Sequence, residues 1–258
     1  MAYETLLIDK KDRVGIVSLN RPNRFNTFST TLALELNDAF IELDEVEDVS
    51  AVVVKGEGKA FSTGIDITEF PGKTPSEYHE WICVMDRMHL TIAAMKKPVV
   101  AMVHGYAVAN GAGLMAAADF AVVAEGTKIG TTAINVGLLC TGPIIPVSTG
   151  LTKKKVLELL LCGELIDAEE ALRLGLVNRV VPADKLEEET WAFVKNLLSK
   201  SPVALQMGKS FYYKMRDMSF SDGLAYGAEL FARLCTTEDA REGVDAFMNK
   251  RKPEWKGR

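Results

Sequence analysis

The sequence predicts an α/β protein: a layered β/α body to about residue 200, then a helical tail. Three observations predict it. Short β-branched runs recur in the first half, "RVGIVSL" (Arg13 to Leu19), "VSAVVVKG" (Val49 to Gly56) and "PVVAMV" (Pro98 to Val103), and unbroken apolar runs of this length suit strands buried on both faces. Helical periodicity lies between them: Leu32, Leu36, Phe40 and Leu43 share one face of a helix that Ser29 or Thr30 can cap. From Thr152 onward the pattern is helical almost throughout.

Taken in order, a strand-like segment follows close on Met1, and Pro22 in "NRPN" breaks the strand that ends at Leu19. The "PGKTPS" turn leads into a second helix, roughly Ser76 to Met95. After "PVVAMV" come the glycine-bearing "HGYAVANGAGLMAAAD", the strand "FAVVAE", and "KIGTTAINVGLLCTGPIIPVSTG", whose Gly and Thr content predicts partly irregular chain. Helices then follow over "TKKKVLELLLCG", "DAEEALRLG", "LEEETWAFVKNLLSK", "SPVALQMGKSFYYKMRD" and "DGLAYGAELFARLCTTEDAREGVDAFMNKR". No internal repeat or low-complexity linker is visible.

Composition narrows the function classes. A net charge of −5 over 258 residues argues against a nucleic-acid partner, and no apolar run reaches the ~18 residues of a membrane span. No leader peptide is evident, so the expectation is a cytoplasmic protein. Cys83, Cys140, Cys162 and Cys235 are scattered without a CxxC spacing, and His79, His89 and His104 form no HxxxH pair, so reduced thiols and no metal site are expected.

Two glycine-bearing segments carry the chemistry. Gly111-Ala112-Gly113-Leu114-Met115-Ala116 matches GxGxxA, the relaxed dinucleotide fingerprint. That reading fits poorly, because the seven residues from His104 to Asn110 separate the strand from Gly111, and the next strand-end acid, Glu125, follows 14 residues later, leaving a helix of barely two turns. The second segment is "GKAFSTGIDITEF" (Gly58 to Phe70), which also follows a buried strand. If the two strands are neighbours, two strand-to-helix turns can aim two backbone N–H groups at one point, the geometry of an oxyanion hole.

With these segments, "LNRPNRFNTFS", "GKAFSTGIDI", "KPVVAMVHGYAVANGAGLMAAADF", "LCGELIDAEEALRLGLVNRVVP" and "TTEDAREGVDAFMNKRKPEW", the chain resembles the crotonase (enoyl-CoA hydratase/isomerase) superfamily over almost its whole length. The resemblance implies a crotonase-like spiral of repeated ββα units over residues 1–200 and a helical trimerisation region over 201–258. It implies an acyl-CoA thioester as substrate, a homotrimer or a hexamer built as a dimer of trimers, and no cofactor beyond the coenzyme A moiety. Carried over by position, the oxyanion N–H groups are those of Ile65 and of Asn110, with Gly111 beside it. Coenzyme A would lie along Ser62, Thr63, Ile65, Asp66 and Ile67, with Arg24, and Lys250 and Lys252 reaching in from a neighbouring subunit, as candidates for its phosphates.

The resemblance fails where the acids belong. A hydratase of this superfamily uses two glutamates around one water, because hydration needs proton transfer at both ends of the double bond. Their positions here are Gly113 and Ala133, and the later carboxylate of the isomerase branch corresponds to Thr141. No carboxylate occurs between Gly126 and Leu157. Thr131, Thr132, Asn135, Cys140 and Thr141 can hydrogen-bond a substrate, but an unassisted threonine is a poor base. Asp86 and His89, three apart on the second helix, are candidates for a replacement acid/base pair, with a surface ion pair as the competing explanation. Glu69 is a further candidate, while Asp66 reads as structural. The nominal label is enoyl-CoA hydratase. Isomerisation, thioester hydrolysis, decarboxylation and non-catalytic acyl-CoA binding all stay open.

Overall fold

The computed structural model describes residues 3–258. Its strands are β1 (Leu6–Lys11), β2 (Val14–Leu19), β3 (Ala51–Gly56), β4 (Val99–Val103), β5 (Tyr106–Val108), β6 (Phe120–Ala124), β7 (Lys128–Gly130), β8 (Ile166–Asp167) and β9 (Arg179–Val181). The helices are α1 (Thr30–Glu45), α2 (Pro75–Ala94), α3 (Asn110–Ala117), α4 (Ile144–Val147), α5 (Lys153–Cys162), α6 (Ala168–Arg173), α7 (Leu186–Leu198), α8 (Pro202–Met215), α9 (Phe220–Leu234) and α10 (Glu238–Met248). Ser29 caps α1 through the Leu32 N–H, and Thr74 with Glu77 forms a capping box at α2.

A six-stranded sheet runs β1-β2-β3-β4-β6-β9, with the β1–β2 pair antiparallel and the rest parallel; a three-stranded sheet runs β5-β7-β8. The chain gives one strand to each sheet in turn, β4 then β5, β6 then β7, and this alternation winds it into a spiral of ββα turns. The two glycine-bearing segments follow β3 and β4, which pair directly from Val52↔Val99 to Lys55↔Met102.

Strand β3 shows why the β-branched runs fold this way. Val52 and Val54 enter the main core with Leu36 and Phe40 of α1 and Met85 and Ile92 of α2, while Ala51 and Val53 face the other way, toward Leu186 and Val194 of α7. Both faces of the sheet are covered, so neither set of positions can be polar.

The structure differs from the sequence reading in three places. The stretch from His104 to Asn110, read as a connection, contains β5. The last helical stretch is two helices, broken where Thr237 accepts the Ala240 N–H as the N-cap of α10. The chain beyond Thr152, read as helical almost throughout, also contributes the short strands β8 and β9, and β9 completes the edge of the six-stranded sheet. Among the described residues no helix is long and apolar enough to cross a membrane.

The helical tail is fastened to the body at Asp119, in the corner between α3 and β6. Its carboxylate accepts the Val99 N–H at 2.7 Å, Lys209 Nζ of α8 at 2.6 Å and the Tyr213 hydroxyl at 3.1 Å. Burial pushes the Asp119 pKa up and the Lys209 pKa down, so desolvation opposes the pair and hydrogen bonds must make up the difference. Beyond it, α9 and α10 leave Phe220, Phe231 and Phe247 exposed. Lys209→Met should strand the buried carboxylate and cost about 3 kcal/mol in urea unfolding, with part regained in the Lys209→Met, Asp119→Asn double variant. Equal midpoints for the single variant and the wild type would show that the pair does not hold α8.

Candidate functional site

The two glycine-bearing segments meet backbone to backbone. The Ser62 N–H donates to the Tyr106 carbonyl at 3.0 Å and the Val108 N–H donates to the Ser62 carbonyl at 2.9 Å, which lays the first segment along β5. On its other side the Phe28 N–H donates to the Gly64 carbonyl and the Asp66 N–H to the Phe28 carbonyl. A parallel bridge of this kind uses the peptide groups flanking Ile65, so the N–H of Ile65 itself points away from Phe28. On that far side Gly64 (φ +101°) lies against Ala109 and Asn110: a Cβ at Gly64 would sit 2.8 Å from the Ala109 Cβ and 3.9 Å from the Asn110 nitrogen. Asn110 is the first residue of α3, and its N–H has no acceptor within the helix.

Ala109 pays for this arrangement with φ +49° and ψ −115°, a conformation suited to glycine. Its N–H is held by the Gly130 carbonyl at 2.8 Å, and its own carbonyl accepts the Gly113 N–H at 2.9 Å. The α3 helix is eight residues long, about two turns, as short as the spacing to Glu125 implied and a poor match to a dinucleotide site. Strand β5 sets it further apart, because it carries the chain into the second sheet before α3 begins.

Ile65 and Asn110 line a cavity of about 640 Å³. One part of the wall is apolar, with Ile67, Phe70, Tyr78, Trp81 and Ile82; another is the loop that carries Thr132, Ala133, Cys140, Thr141 and Pro143. The wall contains one acid, Asp86 of α2. Its carboxyl packs so tightly on Gly142 that a Cβ there would fall 1.9 Å from Oδ2, and burial raises its pKa from 3.8 to about 6. The neighbouring Cys140 thiol is pushed up by burial, an effect that the Asp86 charge reinforces and a hydrogen bond to the Ala133 backbone opposes.

His89, one turn further along α2, does not pair with Asp86. No hydrogen bond joins them among the described residues. The imidazole Nε2 is buried without a partner, beside Gly113 and Pro143, and burial lowers its pKa to about 4. Asn110 is 2 % exposed, and among the described residues its amide nitrogen is the other buried side-chain polar atom without a partner. The two positions to which the resemblance assigns glutamates differ: Ala133 lines the cavity, whereas a Cβ at Gly113 would meet Pro143 at 2.9 Å and His89 Nε2 at 3.0 Å. Sequence reasoning named Gly113 but missed the Pro143 and His89 atoms that fill its side-chain space, because only the folded loop brings residue 143 to α3.

The other candidates are placed as follows. Thr63, Ile67, Thr132, Asn135, Cys140 and Thr141 line the cavity with Ile65 and Asn110. Gly111 does not line it; a Cβ there would sit 2.2 Å from the Ser62 carbonyl oxygen, which makes it a contact between the segments. Ser62 Oγ donates to the Asn26 carbonyl, and Thr131 Oγ1 to the Leu159 carbonyl. Asp66 pairs with Arg21 at 2.8 Å and caps the 3-10 turn Ile67–Glu69. Glu69 accepts from the Thr30 N–H and hydroxyl, so it ties the first segment to α1. Arg24 is exposed in the turn beside Phe25, and Lys250 and Lys252 are exposed beyond α10.

Comparison with known proteins gives a consistent picture. The family model described as enoyl-CoA hydratase/isomerase matches residues 9–258. The mitochondrial enoyl-CoA hydratase domain-containing protein 3 of Rattus norvegicus is 33% identical over 95% of this chain and 82% of its own. The crystal structure of an enoyl-CoA hydratase from Mycobacterium smegmatis superposes with a TM-score of 0.95 at 36% identity, covering 97% of this chain and 98% of that one. The human enoyl Coenzyme A hydratase domain-containing protein 3 superposes with a TM-score of 0.94 at 30% identity, covering 98% of this chain and all of that one (100%).

Two outcomes test this geometry. Ala109→Gly should relieve the backbone strain and stabilise the protein by about 1 kcal/mol in thermal unfolding, and destabilisation would show that the Cβ packing outweighs the strain. The Asp86 and His89 shifts have opposite linkage. A carboxyl raised from 3.8 to about 6 loses stability as pH climbs through that window, and an imidazole lowered from 6.5 to about 4 gains it. These two contributions should therefore nearly cancel between pH 4 and 6.5, and the stability of Asp86→Asn relative to the wild type should rise with pH by up to about 3 kcal/mol. A difference that stays constant with pH would contradict the buried neutral Asp86.

Proposed function

The chain belongs to the enoyl-CoA hydratase/isomerase family, and from that premise we propose that it binds an acyl-CoA thioester, holds the thioester oxygen on the N–H groups of Ile65 and Asn110, and moves a proton with Asp86. Thr63 and Ile67 flank coenzyme A at the cavity mouth, and Arg24, Lys250 and Lys252 are free to meet its phosphates. The exposed apolar faces of α9 and α10 support assembly as a homotrimer or hexamer.

The observation that carries the reaction is the single acid of the cavity. Hydration requires a base for the water and an acid for the α carbon, and neither Gly113 nor Ala133 can serve. A double-bond shift requires one group. Asp86 takes a proton from the α carbon of a β,γ-unsaturated thioester, the electron pair moves into a dienolate whose oxygen is held by the two N–H groups, and Asp86 returns the proton to the γ carbon. Atoms balance, only protons move, and no cofactor beyond the substrate's coenzyme A is needed. A carboxyl raised to about 6 suits this role, because its conjugate base is stronger than that of an ordinary aspartate yet is mostly ionised near neutral pH. Burial of the site strengthens the interaction of both N–H groups with the enolate oxygen.

Incubation with 3-hexenoyl-CoA should yield 2-hexenoyl-CoA, with kcat/KM rising about tenfold per pH unit below the Asp86 pKa and levelling above it. Asp86→Asn should lose about 10²–10⁴-fold in kcat while still binding the thioester. Gly113→Glu should not confer hydration of crotonyl-CoA, since Pro143 and His89 fill that space. Wild-type hydration of crotonyl-CoA that outpaces the double-bond shift would overturn the proposal.

A further inference from the structure

The geometry points to a linear, medium-chain acyl group of about ten to twelve carbons as the part of the substrate this cavity selects, an inference that rests on the acyl-CoA reading above. Tyr78, Ile82 and Asp86 all line the cavity and recur every four residues along α2, so they form one stripe. At 1.5 Å per residue the stripe runs about 6 Å from Asp86 to Ile82 and about 12 Å to Tyr78. An extended chain covers up to about 3.6 Å per three bonds, so about 12 Å accommodates about ten bonds from an α carbon at Asp86, an acyl group of up to about twelve carbons.

The far end of this stripe is apolar despite its residue types. The Tyr78 hydroxyl donates to the Phe70 carbonyl at 2.7 Å and Trp81 Nε1 donates to Thr30 Oγ1 at 3.1 Å, so their polar atoms are engaged with the protein. The Phe70 and Tyr78 ring centroids lie 5.1 Å apart, those of Tyr78 and Trp81 6.4 Å apart. The cavity wall also includes Val136 and Leu139, which are 69% and 48% exposed. These surfaces stay wet in the free protein and are covered when a hydrocarbon chain lies on them. A four-carbon acyl group placed with its α carbon at Asp86 would leave most of this wall bare.

Each methylene buried here should tighten binding about fourfold. Isothermal titration with butanoyl-, hexanoyl-, octanoyl-, decanoyl-, dodecanoyl-, tetradecanoyl- and phenylacetyl-CoA measures this directly. Octanoyl-CoA is expected to bind at least about a hundredfold more tightly than butanoyl-CoA, with the gain levelling off near twelve carbons. Val136→Asp and Leu139→Asp, both at exposed positions, should each shrink the octanoyl-to-butanoyl ratio at least tenfold. Octanoyl-CoA binding within threefold of butanoyl-CoA would overturn the chain-length inference and leave the acyl-CoA reading standing. Phenylacetyl-CoA binding more tightly than octanoyl-CoA would overturn the linear acyl group in favour of an aromatic one. No binding of any thioester would overturn the acyl-CoA reading itself, and this inference with it.

Discussion

Gly111 approaches the Ser62 carbonyl so closely that one added methyl would sit 2.2 Å from its oxygen, and a methyl at Gly64 would sit 2.8 Å from the Ala109 Cβ. These two close contacts set the distance between the segments after β3 and β4, and the rest of the site depends on that distance. Pairing of β3 with β4 brings the segments into register, and β5 then receives Ser62 through two hydrogen bonds. The Phe28 bridge takes up the peptide groups on either side of Ile65, which fixes the direction of the Ile65 N–H. A side chain larger than hydrogen at either glycine would force the segments apart and misdirect both N–H groups, without touching a titratable residue.

The cost of this closeness is concentrated at Ala109. A φ of +49° in an alanine is held only because the surroundings over-determine it: the Gly130 carbonyl takes its N–H, the Gly113 N–H takes its carbonyl, and Gly64 offers no Cβ to resist it. Strain of this kind, at the first turn of a helix that faces a cavity, is consistent with a site organised before ligand arrives. It adds to the helix N-terminus, where in the proposed reaction the Asn110 N–H would face the developing negative charge with the helix dipole behind it.

Much of the fold was legible because periodicity reports burial. The β-branched runs became sheet strands covered on both faces, and the helix expected over Ser76 to Met95 spans Pro75–Ala94. Two kinds of feature were not legible. Strand β5 has three residues, too short for a period, and sits in the glycine-bearing stretch that reads as a loop. The repeated ββα turn is a repeat of path, and its turns share no residue pattern. In the site, counting from glycines reached Ile65 and Asn110, which both line the cavity. The fate of side chains could not: Ser62, Asp66 and Glu69 all sit in the right segment, yet their polar atoms are engaged by Asn26, Arg21 and Thr30. Asp86 was named for its spacing to His89, but what sets it apart in the structure is the cavity it faces.

The separation of Asp86 from His89 also has a chemical consequence. A protonated imidazole one turn away would attract the carboxylate and draw its pKa down. Burial keeps His89 neutral until well below pH 6, so Asp86 has no cation to answer to and burial alone sets its raised pKa. An unpartnered buried Nε2 costs about 1–3 kcal/mol, and here that atom occupies, together with Pro143, the space a glutamate at residue 113 would need. The packing that closes the glutamate position is thus the same packing that holds the imidazole uncharged. Restoring a two-acid site would require moving His89, and moving His89 would change the environment that tunes Asp86.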